Sequence, residues 1–504
     1  MGRLFYFTFY GFGFALLLSV SSYAQQKKDP VHVTADSLSN SAKNGEPVTK
    51  LIGRVNFFQG SIFGSADRAE QHPMKNFVEL FGNVNIRQDT LSLVAPHVTY
   101  DGNSGISHAD GHIQFSDRND HITSDSGTYD LNSNIARFFS NVRAVQSGTT
   151  LTSDTLIYIR STQTMTAIGN VFVVSDSGTI RCDTLVDARS IGERTATGNV
   201  NLKNDSLIVF CNYLYESKPQ KLLLTTGNVQ AYSIPNRTMQ FGDTIIRNTA
   251  TGHSFVPSRP LLEIIDTTTT FDSIKNENVT TFDTLFIKSR SMEAIPGDSS
   301  RFIAIDSVIL MRSNFEGKCG KLIYYKEQGV MSMFRDKRQH VWYDSTEING
   351  DSVVMYEKNN KPQNIVAFGH AFATTPYTDS AGTKNRMSQL SSQSMILTIA
   401  HDTVRSLLAV DNALSIYFMS SEGKPNGLNR SSGDSLRIDF AHNNPERIVV
   451  LSGVEGEYWP DKYIGQRGAA FRLGNYERYY ETLHPRREDF FPAWEPKNII
   501  LSAQ

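Results

Sequence analysis

Ala167-Ile168-Gly169-Asn170-Val171-Phe172-Val173 is one copy of a pattern that returns at a fixed interval. Counted from its glycine, the same slot falls at Gly53, Gly82, Gly111, Ser140, Gly169, Gly198 and Gly227, each step being 29 residues. The following residue is polar in every copy (Arg54, Asn83, His112, Asn141, Asn170, Asn199, Asn228), and the one after it is Val or Ile (Val55, Val84, Ile113, Val142, Val171, Val200, Val229). A period of roughly 20–50 residues marks stacked supersecondary units, none of which can bury its apolar face alone.

The phase within one copy gives the type of unit. Apolar or small residues stand two before the slot (Leu51, Leu80, Ala109, Phe138, Ala167, Ala196, with Thr225 in the last copy) and four after it (Phe57, Ile86, Phe115, Ala144, Val173, Leu202, Ala231). These positions share parity with the Val or Ile, the period of 2 of a strand with one buried face. A glycine in mid-strand weakens the strand unless the backbone must bulge or bend there, so each strand is expected to turn sharply at the same level and pass from one sheet to another.

Upstream of each slot lies a second strand, opened by a column of Asp67, Asp125, Asp154 and Asp183, with Pro96 and Asn212 in two of its registers. The joints are short: Ser161-Thr162-Gln163 on one side and Ser175-Asp176-Ser177-Gly178 on the other. Joints that tight connect antiparallel neighbours, because a parallel crossover needs about a dozen residues. The expectation is an all-β, repetitive antiparallel meander of about 29-residue repeats. The alternative architecture is a parallel β-helix, which would suit an enzyme or binding protein acting on polysaccharide.

Composition narrows the function. The 49 basic and 51 acidic residues leave a net charge of −2, which gives no electrostatic case for nucleic acid. Arg3, the apolar run from Leu4 to Val20, and Ser22-Tyr23-Ala24 before Gln25 read as a cleavable secretory signal covering residues 1–24. Three cysteines are too few for a disulfide framework. Cys182 and Cys211 fill one slot in successive copies. In an antiparallel meander they stand two strands apart, about 9.6 Å, and remain thiols; one-strand parallel rungs would stack them at about 4.8 Å.

In chain order, a first repeat block is expected over 25–234, an irregular insertion or linker over 235–296, a second block over 297–456, and a non-repetitive, aromatic and basic tail over 457–504. The insertion is placed on Pro257, Pro260 and the run Thr267-Thr268-Thr269-Thr270. Slot-like strands resume at 304–310, at Gly369-His370, at Asp411-Asn412 and at Gly453, the last two steps being 42 residues.

The reiterated Gly-Asn-Val strands, the Asp-Thr-Leu and Asp-Ser-Val strand openings, and His340-Val341-Trp342-Tyr343 leading to Ile348-Asn349-Gly350-Asp351-Ser352 resemble the OstA/LptA-like family of lipopolysaccharide-transport proteins. The resemblance covers most of residues 35–456. It implies a β-jellyroll of two sheets folded into an apolar groove that carries lipid acyl chains across the periplasm. The partners it implies are lipopolysaccharide, other lipopolysaccharide-transport proteins of the inner and outer membranes, and head-to-tail copies of the chain itself.

An apolar column in strands is ordinarily core. With the resemblance, Phe57, Leu80, Val84, Ile86, Ile113, Phe115, Phe138, Val142, Val171, Val173, Val200 and Leu202 become the candidate groove residues, and Phe57, Ile86, Phe115 and Phe138 are the bulkiest of them. The Asp column admits a catalytic or calcium reading, since stacked carboxylates can move protons or hold hard cations. Asp ahead of Thr or Ser at a strand edge is more simply a residue that bonds nearby backbone. No HExxH, phosphate loop, nucleophile elbow or zinc-type cysteine cluster occurs, so the expectation is a non-enzymatic protein with no cofactor and no metal.

Overall fold

The structure is a computed structural model that describes residues 32–43, 46–272, 277–297, 299–335, 339–377, 386–421, 424–441, 444–464, 471–474 and 484–490. The expected signal, residues 1–24, lies outside them. Among the described residues every strand pairing is antiparallel, and 32 strands form one continuous ladder. The fold is all-β as expected, and the parallel β-helix is excluded.

The strand Thr164–Ser175 shows how one repeat is built. Met165, Ala167, Val171 and Val173 are buried, keeping the parity read from the sequence. The ladder with Gly178–Ala188 skips from Ile168 to Val171 while the neighbour skips only Asp183, so Gly169 and Asn170 together oppose a single residue. This is a bulge with both residues in the left-handed region, at φ 78° and 47°. Glycine is needed there twice over, since a Cβ at 169 would also fall 2.4 Å from Asp154 Oδ2. The corner recurs at every slot from Gly53-Arg54 to Gly227-Asn228, and again at Asp306-Ser307, Gly369-His370, Asp411-Asn412 and Ser452-Gly453. The final corner therefore begins at Ser452, one residue earlier than the 42-residue step implies.

The Asp column brackets these corners. Asn170 Nδ2 donates to Asp154 Oδ2 at 2.9 Å, and the same bond joins Asn83 to Asp67, Asn141 to Asp125 and Asn199 to Asp183. In other copies a cation takes the place of the amide, as in Arg54 to Asp36 and Arg259 to Asp243. Each carboxylate is thus engaged by its own corner, an exposed local bond.

The stretch 235–296, expected as an irregular insertion, consists largely of strands: Thr238–Asn248, Ser254–Val256, Leu261–Asp272, Glu277–Lys288 and Ser291–Ile295. Thr238–Asn248 pairs with both Ser254–Val256 and Leu261–Asp272, so these two are halves of one bent strand. Pro257 and Pro260 sit in the corner between the halves, where the missing N–H breaks no ladder bond.

Side chains from opposite ends of the bent strands meet. Arg160, in a turn at one edge, lies against Asp117, the last residue of its strand, and Thr90, in a turn, at the other; Arg189 reaches Asp120 likewise, and Lys326 donates to Asn236 O at 2.9 Å. The two edges are therefore stapled, and the ladder closes on itself as a flattened roll. Its interior is packed apolar core, from Val142 through Ile245 in the first block and from Leu262 to Phe440 in the second.

Among the described residues no disulfide forms, and Cys182, Cys211 and Cys319 are all buried. Burial pushes the Cys182 thiol up to about 11. Peptide mapping under native conditions is expected to find no 182–211 bridge, with alkylation of Cys182 slow until the protein is denatured.

The described part of the tail packs on the outside of the roll. Ile464 and Leu473 join Phe372, Phe418 and Leu428, and Phe490 joins Ile208, Met239, Phe241 and Leu261. Glu263 stands between Met239 and Phe286 on neighbouring strands, and burial alone pushes its carboxyl from 4.5 up to about 7. A raised carboxyl pKa in the fold means stability present below about pH 4.5 and lost as pH rises through 7. Glu263→Gln is expected to match the wild type at pH 4 and to exceed it by about 2–3 kcal/mol at pH 8. Denaturation midpoints at the two pH values check this.

Candidate functional site: an apolar cavity in the first repeats

The cross-edge staples named above begin at Thr90. Arg160 and Thr90 are 70 residues apart and Arg189 and Asp120 are 69 apart, so a turn at one edge meets the turn about 70 positions earlier at the other. Counting back by that stagger from Gly102 reaches His32, where the described strands begin. Among the described residues the turns at 73–76 and 102–105 have no partner turn at that stagger.

Between them is a cavity of about 440 Å³ lined from Val33 to Phe138. That volume lies within the ~300–1,000 Å³ typical of ligand sites. Its walls are Leu51, Val55, Phe57, Leu80, Ile86, Leu93, Val98, Ile113, Phe115 and Phe138 with small Ala69, Ala109 and Ala136 between them. Gly64 gives Phe57 its place: a Cβ at 64 would lie 2.0 Å from Phe57 Cζ, so the ring lies across the bare glycine. The rim is neutral, with Gln59 and Gln88 near one edge and Gln71, Asn76, Tyr100 and Ser107 near the other. No charged side chain is among the described lining residues. Such a chamber offers hydrocarbon apolar contact on every wall and offers an ion no charged partner.

At the inner end the Phe115 and Phe138 rings meet edge to face at 5.1 Å, and Tyr158 stands behind Phe115 at 6.1 Å. Tyr158 OH donates to Asp117 Oδ2 at 3.1 Å. Asp117 is fully buried and accepts also from Thr90 Oγ1 at 2.5 Å and Arg160 Nε at 3.2 Å. Burial beside Asp117 raises the Tyr158 pKa well above its ordinary value, so the phenol stays a donor.

Six of the twelve candidate residues line this cavity: Phe57, Leu80, Ile86, Ile113, Phe115 and Phe138. Val84 lies in the adjoining core with no exposure. Val142, Val171, Val173 and Val200 sit beyond the aromatic wall in packed core, with Leu202 half-buried against it. Further along, a hollow of about 30 Å³ lies among Leu207, Val209, Leu223 and Ser254, room for one water. Sequence reasoning missed Asp117, Tyr158 and Arg160; they belong to strand ends, and nothing local marks contacts made 41 and 43 residues away.

Residues 28–183 match the family described as OstA-like protein. The matched stretch holds the slots from Gly53 to Gly169 and all of the cavity lining, and the resemblance read from the repeat is met there. No curated protein matches the chain. Among solved structures the chain is similar to LptH from Pseudomonas aeruginosa, described as the LptA-homologous periplasmic component of the conserved lipopolysaccharide transport device; identity is 16%, coverage is 28% of this chain and 83% of that one, and the TM-score is 0.20.

Proposed function

With the OstA-like match of residues 28–183 as premise, we propose that this protein is a periplasmic carrier that holds lipopolysaccharide by its lipid A acyl chains in the cavity of the first repeats. It would shield those chains from water while the lipid passes between the inner and outer membranes, working with transport proteins of both membranes and without catalysing a reaction. Head-to-tail association of copies of this chain belongs to the same proposal. The observation that carries it is the chamber itself: about 440 Å³, apolar, neutral at the rim and open where the seam ends. Each methylene taken out of water contributes about 0.8 kcal/mol, so even one partly enclosed acyl chain is held firmly.

Mass spectrometry of lipids extracted from the protein purified from its own cells tests the proposal. Lipid A acyl chains recovered in near-stoichiometric amount are the expected result. Lipid-free protein, or phospholipid alone, would overturn it.

A further inference from the structure

The cavity has one end that can yield and one that cannot. At the mouth, Phe57 and Ile86 are only half-buried and the rim is amide and hydroxyl. At the inner end, Phe115 and Phe138 are each 3% exposed and Tyr158 is 1% exposed, and the Phe115 ring packs edge to face against both of the others. Rings so packed leave no rotamer that opens a path, because any swing must displace a neighbour in a close-packed core. Tyr158 is further pinned by its bond to Asp117, and Asp117 is pinned in turn by Thr90 and Arg160 from the two stapled edges. Past the rings, Ala144, Ala167, Val171 and Val173 are buried together in one apolar cluster, and none of them lines the cavity.

We infer that Phe115, Phe138 and Tyr158 form a fixed end-stop that sets the longest acyl chain this cavity accepts, with Asp117 and Arg160 as positioning residues. The inference rests on the acyl-chain reading above and adds a length specificity to it. A chain entering from the mouth gains affinity with each methylene until its terminal methyl meets the Phe138 ring, after which further carbons stay at the rim in water. The limit is a property of three side chains, so it moves when they change size.

The experiment uses the full-length protein and saturated fatty acids from lauric to arachidic, displacing a fluorescent fatty acid. For the wild type, affinity should climb about fourfold per added methylene and then flatten at one length. Phe138→Ala should move that break to longer acids and raise affinity for the longest by more than tenfold relative to the shortest. Phe138→Trp should move the break the other way. If Phe138→Ala does not fold, Phe138→Leu and Phe115→Leu keep most of the core volume and carry the same comparison. Arg160→Gln should blur the break while keeping affinity for the short acids. A wild type that binds no fatty acid would sink the acyl-chain reading itself. Binding without a break, or a break that stays in place in the Phe138 and Phe115 variants, would overturn the end-stop alone.

Discussion

Replacing Arg312 with Leu is expected to lower stability at neutral pH by about 3–5 kcal/mol, the cost of stranding buried carboxylates by removing their counter-charge. Arg312 ends the strand Arg301–Arg312 and its side chain is 2% exposed. Its guanidinium lies 2.5 Å from Asp266 Oδ2 and 2.9 Å from Glu357 Oε1, and it donates to Asn360 O at 2.6 Å. Tyr324 OH donates to the other oxygen of Glu357 at 3.0 Å. The cluster resembles in the second block the arrangement of Asp117, Tyr158 and Arg160 in the first, a buried carboxylate and Tyr held by an Arg, although Arg160 is only half-buried where Arg312 is fully buried. Burial already raises the Asp266 and Glu357 pKa values, and Arg312 opposes that rise. Without the Arg both acids take up protons more readily, so the deficit should shrink as pH falls and grow as pH rises. Arg312→Leu combined with Asp266→Asn and Glu357→Gln should recover most of the loss, since a buried ion cluster adds little over its neutral counterpart. Denaturant midpoints for the single and triple variants read this. A single-variant loss below about 1 kcal/mol would mean that the cluster behaves as an exposed ion pair.

An aspartate in the interior column should have opposite consequences on the two sides of the aromatic wall. Ile86 is half-buried and lines the open chamber, so a carboxylate there can keep its water; Ile86→Asp should fold with a near-native melting temperature. An acyl chain lying against it would strip that water, and retained lipid should fall at least about a hundredfold. Val200 has no exposure and sits in sealed core, so Val200→Asp should unfold the first block or cut its stability by several kcal/mol, on the order of the largest core effects. Thermal melts paired with quantitation of bound lipid separate the two. Equal destabilisation at both positions would mean that the chamber is not open to water.

The repeat was legible because the corner imposes a local demand. Two left-handed residues opposite one carboxylate call for Gly-Asn over Asp, and that need recurs once in each two-strand repeat. The buried parity of Met165, Ala167, Val171 and Val173 was legible for the same reason, being a rule of each strand by itself. The stretch 235–296 misled because proline usually ends a strand, whereas Pro257 and Pro260 occupy a corner at which the strand is interrupted anyway. The extent of the cavity could not be read from any slot. Ile86 and Val173 hold equivalent positions, yet one lines an open chamber and the other lies in packed core. The difference arises from the roughly 70-residue stagger between the two edges, which exists only once the ladder has closed on itself.

Site-specific photo-crosslinking in living cells tests the central claim most directly. A photoreactive residue at 86, on the chamber wall, is predicted to capture lipopolysaccharide. The same residue at 83, on the outward side of the corner, or at 171, beyond the aromatic wall, is predicted to capture none. Capture at 83 or 171 equal to that at 86, or none at 86 in folded protein, would contradict the assignment of the first-repeat chamber as the lipid site.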